Sequence, residues 1–432
     1  MKIIIHGGRV IDPGNINGVR DILIDNGIIT DIVERDAIPP LTTKASEKTT
    51  RVINAAGKIV TPGLIDMHVH LREPGFEHKE TIASGCRAAV AGGFTAVCAM
   101  PNTNPVNDTP EVTAFVKKRA AEAGLARVYP VGAITLGLKG EENCDYGALK
   151  KAGVVALTDD GCPVENDRVM QRALEEAGKL GLAVISHSEM MSLTGSGTMN
   201  RGPVADRLGL EGIPNTAESR MVEREIALSE KTGARIHIAH VSTAESVAAI
   251  RNAKKAGVNV TAETAPHYFT LTDEAVERYG TRAKMSPPLR SETDRQAILQ
   301  GLADGTLDVI ATDHAPHSAA EKGVDFPVAP NGITGLETSL PLGLRLVEKG
   351  ILSLENLIAK MSTIPAEIIG VESGLEKGGA ANITIVDIKA SYEIKSGDFN
   401  SKSENSPFTG WHLKGGAEIT IVNGRIVYER QY

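Results

Sequence analysis

The feature that most restricts how this chain can fold is a change of rhythm at about residue 59. From there to about 375, eight short apolar runs (64–70, 95–100, 127–134, 154–158, 183–187, 235–240, 258–263 and 308–312) alternate with stretches of helical periodicity such as 218–232 and 244–256. Parallel strands need a crossover between them, and eight such strand–helix units close most simply into a (β/α)8 TIM barrel. The flanks differ. Residues 1–58 and 376–432 carry short strand-like runs parted by Gly7-Gly8, Pro13-Gly14 and Asn26-Gly27, and Asn423-Gly424 is a hairpin signal. The prediction is an α/β protein with a catalytic barrel over 59–375 and a small β-sandwich domain built from both termini, 1–58 plus 376–432. The stretches 39–50 and 395–406 are polar and read as loops on the surface.

Composition narrows the function. A formal net charge of −8 and 3% aromatic residues argue against nucleic acid or an anionic membrane as partner. No run reaches the length of a membrane span, the first residues are too briefly apolar for a signal peptide, and the four cysteines form no CxxC pair. A cytoplasmic protein acting on a small molecule is expected.

In a barrel of this kind the chemistry sits at the C-terminal ends of the strands. His68 and His70 end the first, Asp160 the fourth, His187 the fifth and His240 the sixth, with Asp313 just past the eighth. An isolated His-x-His is most often an ordinary pair of histidines. Four of only 11 histidines closing barrel strands, beside two aspartates, is a donor set for divalent metal. The six donors suffice for two ions sharing a carboxylate, and Asp160 lies between the two histidine groups in barrel order. Water held between such ions is acidified, and Asp313 on the opposite wall can take up and return its proton. This predicts metal-assisted hydrolysis of an amide-like bond. Arg72, two residues past His70, presents a planar fork suited to a carboxylate, with Asn102 and His317 as further polar contacts. His237 reads as structural, and His267 and His314 stay undecided. A mobile loop over the site is expected across 318–334, with Asn331 and Gly332 near the substrate.

The segments Asp66-Met67-His68-Val69-His70-Leu71-Arg72-Glu73-Pro74-Gly75, Met100-Pro101-Asn102-Thr103-Asn104-Pro105, His237-Ile238-Ala239-His240 and Asp313-His314-Ala315-Pro316-His317 resemble the dihydroorotase family of the amidohydrolase superfamily. The resemblance runs through the barrel and into both terminal segments. It implies reversible cyclisation of N-carbamoyl-L-aspartate to L-dihydroorotate, with one or two Zn2+ ions per chain and two favoured. It assigns His68, His70, Asp160 and Asp313 to one metal and Asp160, His187 and His240 to the other. Arg72, Asn102 and His317 would hold the substrate carboxylate, and Asp313 would be the general acid and base. Many superfamily members bridge their metals with a carbamylated lysine; here the fourth strand ends in aspartate, as in the branch that uses Asp160's equivalent instead. Two departures stand out. Ser286 precedes the Pro-Pro pair where relatives often carry Asn, which puts a substrate contact there in question, and Ser186-His187-Ser188 replaces the more usual Asp-His-Cys.

Two alternatives remain at this level: another cyclic amidohydrolase, an allantoinase or a dihydropyrimidinase, and a non-catalytic partner of aspartate carbamoyltransferase. A homodimer and an association with that transferase are both compatible with the chain.

Overall fold

The computed structural model describes residues 2–35 and 50–431. Most of the polar stretch expected as a loop over 39–50 lies outside the described residues; Thr50 itself opens a strand.

The N-terminal part forms β1 (Lys2–Asp12), β2 (Ile16–Asp25), β3 (Ile28–Glu34), β4 (Thr50–Asn54) and β5 (Ile59–Pro62). The barrel strands follow: β6 (Leu64–Val69), β7 (Phe94–Ala99), β8 (Arg127–Gly132), β9 (Ala156–Thr158) and β10 (Ala183–Ser186). A small excursion, β11 (Met199–Asn200) and β12 (Gly212–Ile213), precedes β13 (Ile236–Ile238), β14 (Val260–Thr264) and β15 (Val309–Ile310). The chain ends with β16 (Ile383–Glu393), β17 (His412–Val422) and β18 (Arg425–Glu429).

Strands β6 to β10 and β13 to β15 pair in parallel in chain order, and a parallel bridge between Val69 and His314 draws the two ends together. All eight expected strands are present, several of them shorter than their apolar runs. The terminal strands pair into one sheet of order β18-β17-β16-β5-β1-β2-β3, with β4 on β1. That sheet branches at β1. Gly7-Gly8, expected as a turn, is a register shift inside one long strand, so Lys2–His6 pairs with β4 while Arg9 and Val10 pair with β5.

Packing follows the alternation. Ile3, Ile5, Ile22, Ile24, Ile383, Ile385 and Ile421 form the core of the terminal sheet. Ile65, Met67, Ala96, Val131, Ile185 and Val309 pack with Ile368 and Ile369 of the helix Thr363–Ile369. The largest cluster joins barrel and helices and takes in Val386, Ile394, Phe408, Leu413 and Ala417 from the C-terminal part. Thr384 and Thr420 donate to the carbonyls of Gly93 and Val90, tying the terminal sheet to the end of the first barrel helix, Ile82–Ala91.

The stretch 395–406 departs from expectation. Ser401, Ser403, Asn405 and Ser406 are buried. Ser401 donates to Glu80, the amide of Lys402 donates to the same carboxylate, and Ser403 donates to the Lys79 carbonyl. Short polar side chains bury at little cost when each finds a partner, and composition does not show whether they do.

Candidate metal centre and substrate pocket

The ends of the barrel strands deliver His68, His70, Asp160, His187, His240 and Asp313 into one buried cluster. Two of the six are held in backbone conformations unusual for non-glycine residues, with φ of 34° at His240 and 46° at Asp313, and so is Arg72, at 62°, two positions past His70. Such strain persists where surrounding structure enforces it, and it concentrates at functional sites.

Three of the four histidines are oriented through one ring nitrogen, whereas His240 Nδ1 is buried without a partner. His68 Nδ1 lies 2.7 Å from Glu263 Oε1, His70 Nδ1 lies 2.9 Å from Asn102 Oδ1, and His187 Nε2 lies 3.2 Å from Glu189 Oε2. An oxygen acceptor takes the N–H, so the other nitrogen keeps its lone pair. Those lone pairs converge. His68 Nε2 is 3.3 Å from Asp160 Oδ1 and 3.6 Å from Asp313 Oδ1, and His70 Nε2 is 3.4 Å from Asp160 Oδ2 and 3.2 Å from Asp313 Oδ1. On the other side, His187 Nδ1 and His240 Nε2 lie 3.4 and 3.5 Å from Asp160 Oδ1. A tetrahedron with bonds of about 2.0–2.1 Å has edges of about 3.3 Å, so these separations match those of ligands around a common ion. His68 Nε2 and Asp160 Oδ1 are buried without a hydrogen-bond partner, as expected of atoms whose partner is a cation.

Two triads among the described residues are compact enough to hold an ion: His68, Asp160 and His240, and His68, His70 and Asp313. His68 belongs to both, and Asp160 faces His68, His187 and His240 with Oδ1 and His70 with Oδ2. Burial alone would raise the Asp160 carboxyl, but His68, then His187 and His240, hold it well below the usual range.

A cavity of about 410 Å³ opens onto the cluster, and its lining includes the polar residues Arg72, Asn102, His317 and Asn331 and the apolar residues Met191, Ile213 and Met285. Arg72 Nε donates to the Pro316 carbonyl at 3.2 Å and Nη2 lies 3.2 Å from His317 Nε2. Burial lowers Arg72 to about 10, so it stays a cation at neutral pH. His317 Nε2 lies 2.8 Å from the Asn331 carbonyl and Nδ1 lies 3.4 Å from Lys79 Nζ. Burial, then Arg72, Lys79 and Lys322, push His317 down to about 3, which keeps the ring neutral.

Not every expected residue faces the pocket in the same way. Ser286 lines it, but its hydroxyl donates to Glu189 at 3.2 Å. Gly332 lies behind the wall; a Cβ there would meet the Ala315 carbonyl oxygen at 2.4 Å and His317 Cδ2 at 2.7 Å. His237 bonds Glu263 and Thr261, and His314 bonds Glu80 while accepting from the Gly335 amide, so both serve the scaffold. His267 is buried with no partner for Nε2.

Glu263 and Glu189 carry the signal that sequence reasoning passed over. Both are acids at or just past a strand end, and both orient a cluster histidine. The segment 318–334 is also more constrained than a free loop. A short helix, Ala319–Lys322, starts it, and Lys322 Nζ donates to the carbonyls of Thr281 and Pro330 at 2.9 and 2.8 Å. Lys284 Nζ donates to those of Phe326, Pro327 and Ala329 at 2.7, 2.9 and 2.7 Å.

Residues 57–246 match the family described as dihydro-orotase-like. A dihydroorotase of Desulforapulum autotrophicum is 56% identical over the whole of both chains, and one of Syntrophotalea carbinolica is 55% identical over 99% of each. The chain belongs to the dihydroorotase family. It is a cyclic amidohydrolase, and its barrel is that of solved relatives. An L-hydantoinase (dihydropyrimidinase) from Arthrobacter aurescens superposes with a TM-score of 0.87 at 26% identity, covering 100% of this chain and 96% of that one. A dihydropyrimidinase from Brevibacillus agri shares the fold with a TM-score of 0.82 at 23% identity, over 99% and 95% of the two chains. No described helix is long and apolar enough to cross a membrane.

Proposed function

We propose that this dihydroorotase-family chain interconverts L-dihydroorotate and N-carbamoyl-L-aspartate, with Zn2+ at the cluster and two ions favoured. The observation that carries the reading is the juxtaposition of a His/Asp cluster with the cation of Arg72 in one cavity. A cyclic ureide bearing a carboxylate satisfies both ends. A hydantoin or dihydropyrimidine ring without one would leave Arg72 buried with no ligand counter-charge.

The donor set of imidazole nitrogens and carboxylate oxygens, spaced as tetrahedral edges, suits zinc. His68, His70, Asp160 and Asp313 would hold one ion, and Asp160, His187 and His240 the other. Bound divalent ions polarise an amide carbonyl and lower the pKa of water. The remaining work falls to the chain. Arg72, Asn102 and His317 hold the substrate carboxylate and so fix the ring relative to the cluster. Asn331 borders the same end of the cavity, and Gly332 allows that segment to pack against His317. Ser286 acts through Glu189 on His187. His68 and His70 both approach Asp313 through Oδ1, which leaves Oδ2 for proton transfer. In the hydrolytic direction water adds to the ring amide carbon, and Asp313 takes its proton and returns it to the departing ring nitrogen as the C–N bond breaks. Ring closure runs the same path backwards with loss of water.

The test is an ultraviolet assay of dihydroorotate ring opening by zinc-loaded protein, with allantoin and hydantoin as controls. Turnover of dihydroorotate is expected, and Asp313→Ala should lower it by at least about a thousandfold while the fold is kept. Turnover of allantoin without dihydroorotate would refute the assignment.

A further inference from the structure

We propose that Asn405, on the buried stretch between β16 and β17, is a positioning residue for recognition of the substrate carboxylate. The inference rests on the carboxylate-binding role given above to Arg72, Asn102 and His317, and it adds a residue that touches neither substrate nor metal.

Asn405 is only 4% exposed, and its side-chain amide is spent on two other segments. Oδ1 accepts from the backbone amide of His317 at 3.0 Å. Nδ2 donates to the carbonyls of Ala315 at 3.0 Å and Gly332 at 2.9 Å. The Asn405 backbone carbonyl accepts from the Thr334 amide at 3.1 Å. One primary amide thus uses its acceptor and both donors to join the run that carries His317 to the run that carries Asn331.

Beyond the contact of the His317 ring with the Asn331 carbonyl, those two runs meet through the Ala315 amide and the Ile333 carbonyl, 3.0 Å apart, and through the Gly335 amide and His314 Nδ1. Their approach leaves no room for slack. Gly332, at φ 155°, has its missing Cβ directed at the Ala315 carbonyl oxygen and the His317 ring. The separation of the runs sets where the Asn331 carbonyl meets His317 Nε2, and hence where that ring stands relative to Arg72. Asn405 makes none of its side-chain bonds to a residue of the His/Asp cluster, so its loss should act on the carboxylate end of the pocket.

Chemistry selects asparagine here. Aspartate would set an anionic oxygen against two carbonyls, and an apolar residue would strand two carbonyls and one amide in a buried place. The stretch that presents it is itself docked on Glu80 and on the carbonyl of Lys79, the lysine whose Nζ lies against His317 Nδ1.

The test compares Asn405→Ala, Asn405→Ser and His317→Ala, each zinc-loaded, by steady-state ring opening of dihydroorotate and by bound zinc per chain. Both Asn405 variants are expected to raise KM about tenfold, with kcat within about threefold and zinc content as in the parent. In 15N-histidine spectra, the imidazole signal absent from His317→Ala should shift in both. Asn405→Ser, which leaves a hydroxyl in the space, keeps the test open if the alanine variant is insoluble. An unchanged KM and unshifted His317 signal in a folded Asn405 variant would overturn the proposal, as would a fall in kcat with lost zinc. If His317→Ala itself leaves KM unchanged, the carboxylate reading fails instead; a raised KM in His317→Ala alone sinks only the role of Asn405.

Discussion

Three of the four cluster histidines owe their usable nitrogens to an oxygen acceptor on another residue, in two cases from a different part of the chain. Glu263 on β14 fixes His68 of β6, Asn102 past β7 fixes His70, and Glu189 fixes His187. The histidines are legible in sequence because they recur at strand ends. Their partners are less so, since an acid at a strand end has many uses and only barrel closure decides which ring it meets. Below His187, Ser186 donates to Glu225 at 2.8 Å, and Arg224 Nη2 donates to the same oxygen at 2.9 Å. Glu225 is fully buried and its other oxygen has no partner, so burial raises it to about 7 although Arg224 and Ser186 pull the other way. A carboxyl whose folded pKa lies above its unfolded value favours the folded state while protonated, below about pH 4.5, and that favour is lost as pH rises towards 7. Glu225→Gln removes the titration. Its melting temperature relative to the parent should therefore improve from pH 5 to pH 8, by a difference on the order of 2 kcal/mol in stability. Parallel shifts of both proteins across that range in thermal melts would show that Glu225 stays ionised.

At the scale of elements, of the two stretches without periodicity one lends Asn331 to the pocket lining and the other docks behind His317. The 318–334 segment was expected to be a loop near the substrate, and Asn331 does line the cavity. What its composition does not display is the pair of buried ammonium groups that hold it. Lys284 and Lys322 are solvated by backbone carbonyls, and a carbonyl carries no residue identity for a sequence to reveal. Replacing either lysine by methionine keeps most of the packing and removes every donor. Lys284→Met and Lys322→Met should each increase cleavage within 318–334 in limited proteolysis by about tenfold, located by mass spectrometry, with cleavage elsewhere unchanged. Cleavage at the parental rate would mean that the carbonyl contacts do not restrain the segment. The 395–406 stretch misled for a related reason: serine, asparagine and lysine suit a solvated loop and a hydrogen-bonded strap equally well.

For the whole molecule, the terminal sheet and the barrel share hydrophobic contacts as well as polar ones. Phe408, Leu413 and Ala417 lie in the same apolar cluster as Leu64, Phe94 and Leu340, and Asn405 reaches the pocket wall itself. A unit that completes another's core does not melt independently of it. Calorimetry should therefore show a single unfolding transition; two resolved transitions, with the terminal sheet melting first, would contradict this coupling.

By itself the sequence determined the barrel, the strand ends that carry the cluster, and the place of Arg72 beside it. These follow from local rules, because strand–helix alternation and the side chains at strand ends are written in neighbouring residues. Tertiary structure decided which nitrogen His68, His70 and His187 offer, that Ser286 turns to Glu189, and that a polar strap from the C-terminal part docks behind His317. Those outcomes depend on partners more than 30 residues away in most cases, such as Asn102 for His70 at a separation of 32 and Asn405 for His317 at 88. A hydrogen bond is satisfied by whatever donor or acceptor the closed barrel brings within reach, and that choice exists only once the chain has folded.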